Sequence, residues 1–492
     1  QNYNRFVTHN GMSYQNKKVT LGAYFYNEND VKAQHLQQNL NDNQKIILQE
    51  AGNDSSKMIA NSAVSSSYDE NRIQYEKTTS NGKTTYTHST SENATLYNVS
   101  FSYTGVKNGD YVIDQVSATG TIYKYVGANL GDYAPITLLI APTKLQMTAV
   151  NANYQINEDS FVSTEVAYSN NDQNLFSSKD DSSNHGIATT LTWQQKISHS
   201  SWNIDNLMDI DVIQKNFNNI EGLYNPEFNR DWNLDFNLNP SSISNQTYIR
   251  NKLSAVKDKI HMININTDYL RIGTVFHGHK TSLNTHNTFG NIILNTKTSY
   301  LKNSNNAEEG YFARNLTSVK YQLKKAWVST SLKYEDNQQE NSQSKMLNLT
   351  NQKLIQTGVS MGVGDTTKVY SKFSFNRMQI DSVRNNQSVR VQQANNFTLK
   401  SKLIMNKKTS LSTFMNYRKV NHIYSKDLNV FNGQIQYTQR FFKNIVHWAT
   451  VFETSSGSTN QQNFTYIEVE AGQGYYTYLG DLNNNKIKDF DE

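Results

Sequence analysis

Proline ends at Pro240. Residues 241–492 contain none, although Pro135, Pro142, Pro226 and Pro240 precede them. Because proline cannot donate to a ladder, it is kept out of strands paired on both sides. So long a stretch without it points to a continuous or closed sheet. The same region alternates apolar and polar residues with the period of a strand. Ile355, Thr357, Val359, Met361 and Val363 run to a turn at 364–367, and Val369, Phe373 and Phe375 return. Phe431, Gly433, Ile435 and Tyr437 do the same before Val446, Trp448, Thr450 and Phe452. An earlier hairpin carries Val150, Ala152, Tyr154 and Ile156 against Val162, Thr164, Val166 and Tyr168. Such alternation puts one apolar and one polar face on a sheet.

Strand length separates the two architectures that fit. Strands of globular sandwiches run about 5 to 6 residues, whereas a strand crossing an outer membrane needs about 9 to 11. Residues 325–334 and 431–441 are of the longer kind. The expected fold is therefore all-β: an antiparallel outer-membrane β-barrel, whole or partial, with long loops and a small β subdomain.

Composition excludes several classes. Only 36% of the 492 residues are hydrophobic, and mean hydropathy is −0.71. Disordered chains this polar are poor in aromatics, yet this one has 30 Tyr and 21 Phe, so disorder is the wrong reading. In a barrel, the polarity belongs to inward faces and to loops such as 303–309 and 335–344. The 47 basic and 42 acidic residues form no long basic stripe, which argues against a nucleic-acid partner. Without cysteine there is no disulfide scaffold and no thiolate metal site. No apolar run is long enough for a transmembrane helix. The N-terminus shows no signal-peptide core, which reads as a mature chain or a fragment.

Three regions are expected in order. Residues 1–93 read as two opening strands around a turn at 16–18, followed by a long polar loop at 27–67 with one short helix. Asn41 caps that helix with Gln44 three residues on. Ile46, Ile47 and Ala51 share its apolar face, and Gly52 ends it. Residues 94–142 read as a compact subdomain in which Gly109-Asp110-Tyr111 recurs as Gly131-Asp132-Tyr133, 22 residues later. Residues 143–492 carry the long strands and end in an Asp/Asn-rich loop.

That ending, 472–492, combines glycine, tyrosine and oxygen ligands. Asp481, Asn483, Asn485, Asp489 and Glu492 fall at positions 1, 3, 5, 9 and 12 of a calcium loop, and Ile487 at position 7 would offer its carbonyl. Calcium, as Ca2+, is the cofactor this spacing implies. Lys486 stands at position 6, where the sharp turn favours glycine, and an Asn/Asp-rich turn between strands satisfies the same spacing. The chain stops on the residue that would close the loop, which suggests that the polypeptide continues.

Elsewhere chemistry is thin. Asp205, Asp209 and Asp211 share one face of the strand 202–212, as paired carboxylates of a glycosidase would, or as the wet face of a barrel lumen. His277 and His279 share a strand side near His261 and His286, the spacing of two zinc ligands or of ordinary polar strand residues. No Gly-x-Ser-x-Gly elbow, phosphate loop or dinucleotide fingerprint occurs. No catalytic site is expected.

Laid out in order, YNRFVTH, LQQNLNDNQ, AGNDSSKM, the two Gly-Asp-Tyr units, LLIAPTKLQM, NNDQNLFS, EFNRDWNL and GQGYYTYLGDLNNNKIKDFDE resemble a family. The chain looks like the large, poorly characterised outer-membrane proteins of Bacteroidota, which close on Gly-x-Gly-x-Tyr and then Asp-x-Asn-x-Asn-Gly-Ile-x-Asp. The resemblance implies the cell outer membrane, contact with its lipid and with other envelope proteins, and a β-rich barrel without an established activity. Transport, assembly or scaffolding is the expected role. A surface-exposed or secreted adhesin or carbohydrate-binding protein, stacking sugars on its tyrosines, is the alternative, and a glycan-active enzyme using the Asp205 to Asp211 face is a third.

Overall fold

The computed structural model describes residues 4–32, 40–80, 82–117, 120–234, 244–258, 260–365 and 367–456. The closing stretch, with Asp481, Asn483, Asn485, Ile487, Asp489 and Glu492, lies outside the described residues.

An 18-stranded antiparallel sheet dominates. It begins with β1 (Arg5–Gln15) and β2 (Val19–Asp30), then breaks for helix α1 (Asp42–Ala51) and ten short strands, β3 to β12, lying between Ile59 and Leu138. It resumes with β13 (Lys144–Asn157), β14 (Ser160–Asp172), β15 (His185–His199) and β16 (Trp202–Ile213). After a short helix, α2 (Phe228–Asp231), come β17 (Gln246–Lys257), β18 (His261–Ile272), β19 (Phe276–Phe289), β20 (Ile292–Asn305), β21 (Glu308–Gln322) and β22 (Ala326–Asn341). The last six are β23 (Gln352–Gly364), β24 (Tyr370–Arg384), β25 (Gln387–Met405), β26 (Thr409–His422), β27 (Leu428–Phe441) and β28 (Val446–Ser455). In register, β1 pairs with β2, β2 with β13, and from β13 onward each strand pairs with the next to β28. Lengths of 10 to 19 residues meet or exceed the membrane requirement.

Residues directly opposite share a face, so one register assigns faces to the whole meander. Val359, Phe375, Phe397, Tyr417 and Phe431 lie in one cross-strand row, with Phe375 and Phe397 ring centroids 4.9 Å apart. Ile355 to Val363, Phe431 to Tyr437 and Trp448 to Phe452 therefore point one way, as the alternation predicts. Val150, Val166, Leu191, Leu253, Ile265 and Leu332 join them and stay exposed despite being apolar. A contiguous exposed apolar face of this extent needs a nonaqueous neighbour.

The two ends differ. Turns at 16–18, 158–159, 200–201, 290–291, 323–325 and 406–408 are short. Several are closed by an Asn side chain: Asn16 Oδ1 accepts from the amides of Lys18 and Val19, both at 2.8 Å, and Asn406 does so from Lys408 and Thr409. All long insertions emerge at the opposite end. The largest leaves after Asp30 and returns at Thr143, whose amide donates to Asp30 at 2.9 Å.

Within that insertion, Asn41 and Gln44 form the expected capping box, and Gly52 carries a positive φ of 64°. The apolar face is shifted: Leu48 and Ala51 are buried, Ile47 packs beside them, and Ile46 is half exposed. The β14–β15 loop decides this, because its side chains satisfy the helix's last carbonyls. Asn174 donates to Leu48 and Gly52, Ser177 to Gln49, and Lys179 to Glu50. The stretch after α1 is no plain loop, since Ile59–Asn61 and Val64–Ser66 pair into the small sheets.

Candidate functional site

Between β16 and β17 the chain folds back onto the polar face. Trp232, fully buried, meets Tyr248 of β17 edge-on at 5.7 Å, while its neighbour Asn233 exchanges two amide hydrogen bonds of 2.9 Å with Asn337 of β22. In a flat sheet those strands would lie about 24 Å apart, at roughly 4.8 Å per strand. Two adjacent residues reach both, so the polar face is concave and the apolar face convex.

The segment is held in two layers. Nearer the long-loop end, Tyr224 stacks on Phe228 at 3.9 Å, and Phe228 and Trp232 pack with Leu270, Ile272, Phe276, Leu301 and Phe312. Gly278 makes room: a Cβ there would come 3.1 Å from the Trp232 ring. Toward the middle lies a charged belt. Lys280 Nζ sits 4.7 Å above the Trp232 ring and 3.7 Å from Asp268. Arg314 donates to Asp231 at 2.7 Å and to Ser299 at 3.2 Å. Arg230 reaches Glu335 at 3.5 Å. The infolded segment thus caps an inner wall with matched charges, a plug in a concave sheet.

The three carboxylates expected on the 202–212 strand do share the inner face. Gln194 donates to Asp205 at 2.7 Å, Thr192 to Asp209 at 2.7 Å, Thr190 to Asp211 at 2.9 Å, and Arg250 to Asp211 at 2.8 Å. Neighbours on the same sheet hold all three, an arrangement of a wet wall rather than of opposed acid and base. His277 and His279 lie on the outer face, where the His279 ring packs on Tyr269 at 4.6 Å. His286 turns inward and contacts Asn295 at 2.6 Å. Among the described residues no group of three or more His, Cys, Asp or Glu side chains is placed to hold a metal.

The convergence of Trp232, Lys280, Asp268, Arg314 and Asp231 was not legible in the sequence. Its trace was Glu227 to Leu234, an aromatic and charged run inside an otherwise polar connection, and the single Asp268 among the asparagines of its strand.

Fold and site together define a class: an all-β chain whose two-faced antiparallel sheet curls around an infolded plug. No protein-family model matches the chain, and no curated protein matches it. Among solved structures it is similar to the outer membrane protein opdK from Pseudomonas aeruginosa, with 7% identity over 64% of this chain and 94% of that one, at a TM-score of 0.27. It is also similar to BauA, the ferric preacinetobactin receptor from Acinetobacter baumannii (9% identity, 92% of this chain and 64% of that one, TM-score 0.22). The ferric yersiniabactin uptake receptor FyuA from Yersinia pestis gives 9% identity over 91% and 71% at a TM-score of 0.24. At such scores the barrel reading rests on the strands' own geometry.

Proposed function

We propose that the chain is a non-enzymatic β-barrel protein of a bacterial outer membrane, with passage of solute past an infolded plug as its role ahead of assembly or scaffolding. The carrying observation is the concave polar face wrapped around Trp232 while the convex face exposes apolar side chains. Strands with these two faces, short turns at one end and long insertions at the other have the anatomy of a membrane barrel, in which the short turns face the periplasm. Lipid is then the partner of the convex face. The motif resemblance supports placing the chain with the large outer-membrane proteins of Bacteroidota. The spacing from Asp481 to Glu492 supports a calcium loop at its end, testable by calcium titration of the protein against Asp481→Asn.

Fractionation with and without detergent, followed by reconstitution into planar bilayers, tests the reading. Recovery only with detergent, and conductance that rises when residues 224–234 are replaced by a short Gly/Ser linker, is expected. Recovery in the aqueous fraction without detergent would overturn it in favour of a secreted adhesin or carbohydrate binder.

A further inference from the structure

The inner wall is electrically lopsided. On β14 to β18 it carries Glu165, Asp205, Asp209, Asp211 and Asp268, interleaved with Lys196, Arg250 and Lys252. From β20 to β26 it carries Lys297, Lys320, Lys333, Lys372, Lys400 and Arg418, while the carboxylates on the same face are Glu308, near the rim, and Glu335. Glu335 is already engaged by Lys333 at 3.1 Å and by Arg230. Among the described residues no carboxylate makes an ion pair with Lys297, Lys320, Lys372, Lys400 or Arg418.

Two details make this more than a scatter of lysines. Lys372 and Lys400 stand directly opposite in register, and like charges so placed cost stability, which an anion between them would offset. Beside them, the Trp327 indole has Lys320 Nζ at 5.0 Å and Lys372 Nζ at 5.7 Å from its ring centroid. The ring lies across Gly362, where a Cβ would come 2.7 Å from it, so a glycine backbone forms the floor of this cationic patch. Trp327 holds the two ammonium groups by attraction to its face and leaves their remaining hydrogens for a ligand. A concave, low-dielectric wall focuses the field of such charges into the lumen, as cationic linings do in anion pores.

We propose that the wall from β20 to β26 selects anions, and that the solute taken by this lumen is anionic, with Lys320, Lys372 and Lys400 as its main contacts. The inference rests on the pore reading above and deepens it. In planar bilayers under a potassium chloride gradient, the zero-current potential is expected to have the sign of chloride preference, and tripolyphosphate is expected to reduce the current. In the triple variant Lys320→Gln, Lys372→Gln, Lys400→Gln the potential should move toward zero and the tripolyphosphate concentration for half-block should rise at least about tenfold, two or more charge contacts being lost. Conductance with potassium preference, or with none, overturns the anion inference and leaves the pore standing. Where the plug keeps the pore closed, calorimetry of the detergent-solubilised protein with tripolyphosphate decides: binding lost in the triple variant supports the proposal, and absence of binding to the unaltered protein overturns it. Recovery without detergent overturns the pore and the inference together.

Discussion

Gly109 and Gly131 exchange two backbone hydrogen bonds, 2.8 Å from the Gly109 amide and 2.9 Å from the Gly131 amide. The two Gly-Asp-Tyr units are thereby paired with each other in a local two-fold arrangement. The Asp110 amide donates to Tyr133 and the Asp132 amide to Tyr111, both at 2.9 Å. Each aspartate side chain then holds the turn before the other unit: Asp110 accepts from the Asn129 amide at 3.0 Å, and Asp132 from the Lys107 amide at 2.9 Å. Lys107 and Asn129 both have positive φ, at 57° and 56°.

A methyl group on either glycine would overlap the backbone of the opposing tyrosine. Gly109→Ala and Gly131→Ala should each destabilise the insertion by about 1–3 kcal/mol through overpacking. Gly222→Ala, whose methyl would meet only the Tyr224 carbonyl oxygen at an ordinary 3.9 Å, should be neutral. Limited proteolysis within residues 94–142 separates the two outcomes.

Tyr75 and Tyr111 are buried in the same insertion, and their hydroxyls accept from the amides of Tyr123 and Tyr86 at 3.0 and 2.7 Å. Burial pushes both hydroxyls up to about 12 from the ordinary 10.0. The fold therefore holds these protons more tightly than the unfolded chain does. The stability they contribute is complete below pH 10 and lost as pH rises toward 12. Tyrosinate absorbance followed with circular dichroism should show late tyrosine ionisation that coincides with unfolding of the insertion and is reduced in Tyr75→Phe and Tyr111→Phe.

Asn174, fully buried, donates to Leu48 and Gly52 at 2.7 and 2.6 Å. Asn174→Ala leaves those carbonyls without their donor and should cost about 1–3 kcal/mol. Faster hydrogen exchange in α1, with the large sheet unchanged, is the expected signature.

Trp232→Ala should empty the centre of the plug and cost about 3–5 kcal/mol locally, the range for deleting a large buried aromatic. Because the strands beneath it remain paired to their neighbours, the sheet should survive while protease reaches residues 214–234. Arg314→Met, which strands Asp231, should act in the same direction with a smaller effect.

Sequence periodicity by itself determined the strands at 150–156, 162–168, 355–363 and 431–437 and their two faces, because a period of two is a local property of the chain. Residues 303–309 and 335–344, read as loops from their polarity, are instead largely strand: β20 reaches Asn305, β21 begins at Glu308 and β22 runs to Asn341, because cross-strand pairing satisfies the backbone of polar residues as well as of apolar ones. Asn41, Gln44 and Gly52 were equally legible, since capping is settled within a few residues. The buried face of α1 was not, because Asn174, Ser177 and Lys179 select it from the far side of the insertion. The repeat of Gly-Asp-Tyr was visible, but its meaning required Gly109 to meet Gly131. The wall of Asp205, Asp209 and Asp211 was visible as alternation, whereas Lys280 over Trp232, Arg314 on Asp231 and the row of lysines from β20 to β26 were decided only by the tertiary structure. Register adds strand to strand, and curvature brings β17 within reach of β22; neither is stored in the spacing of residues along the chain.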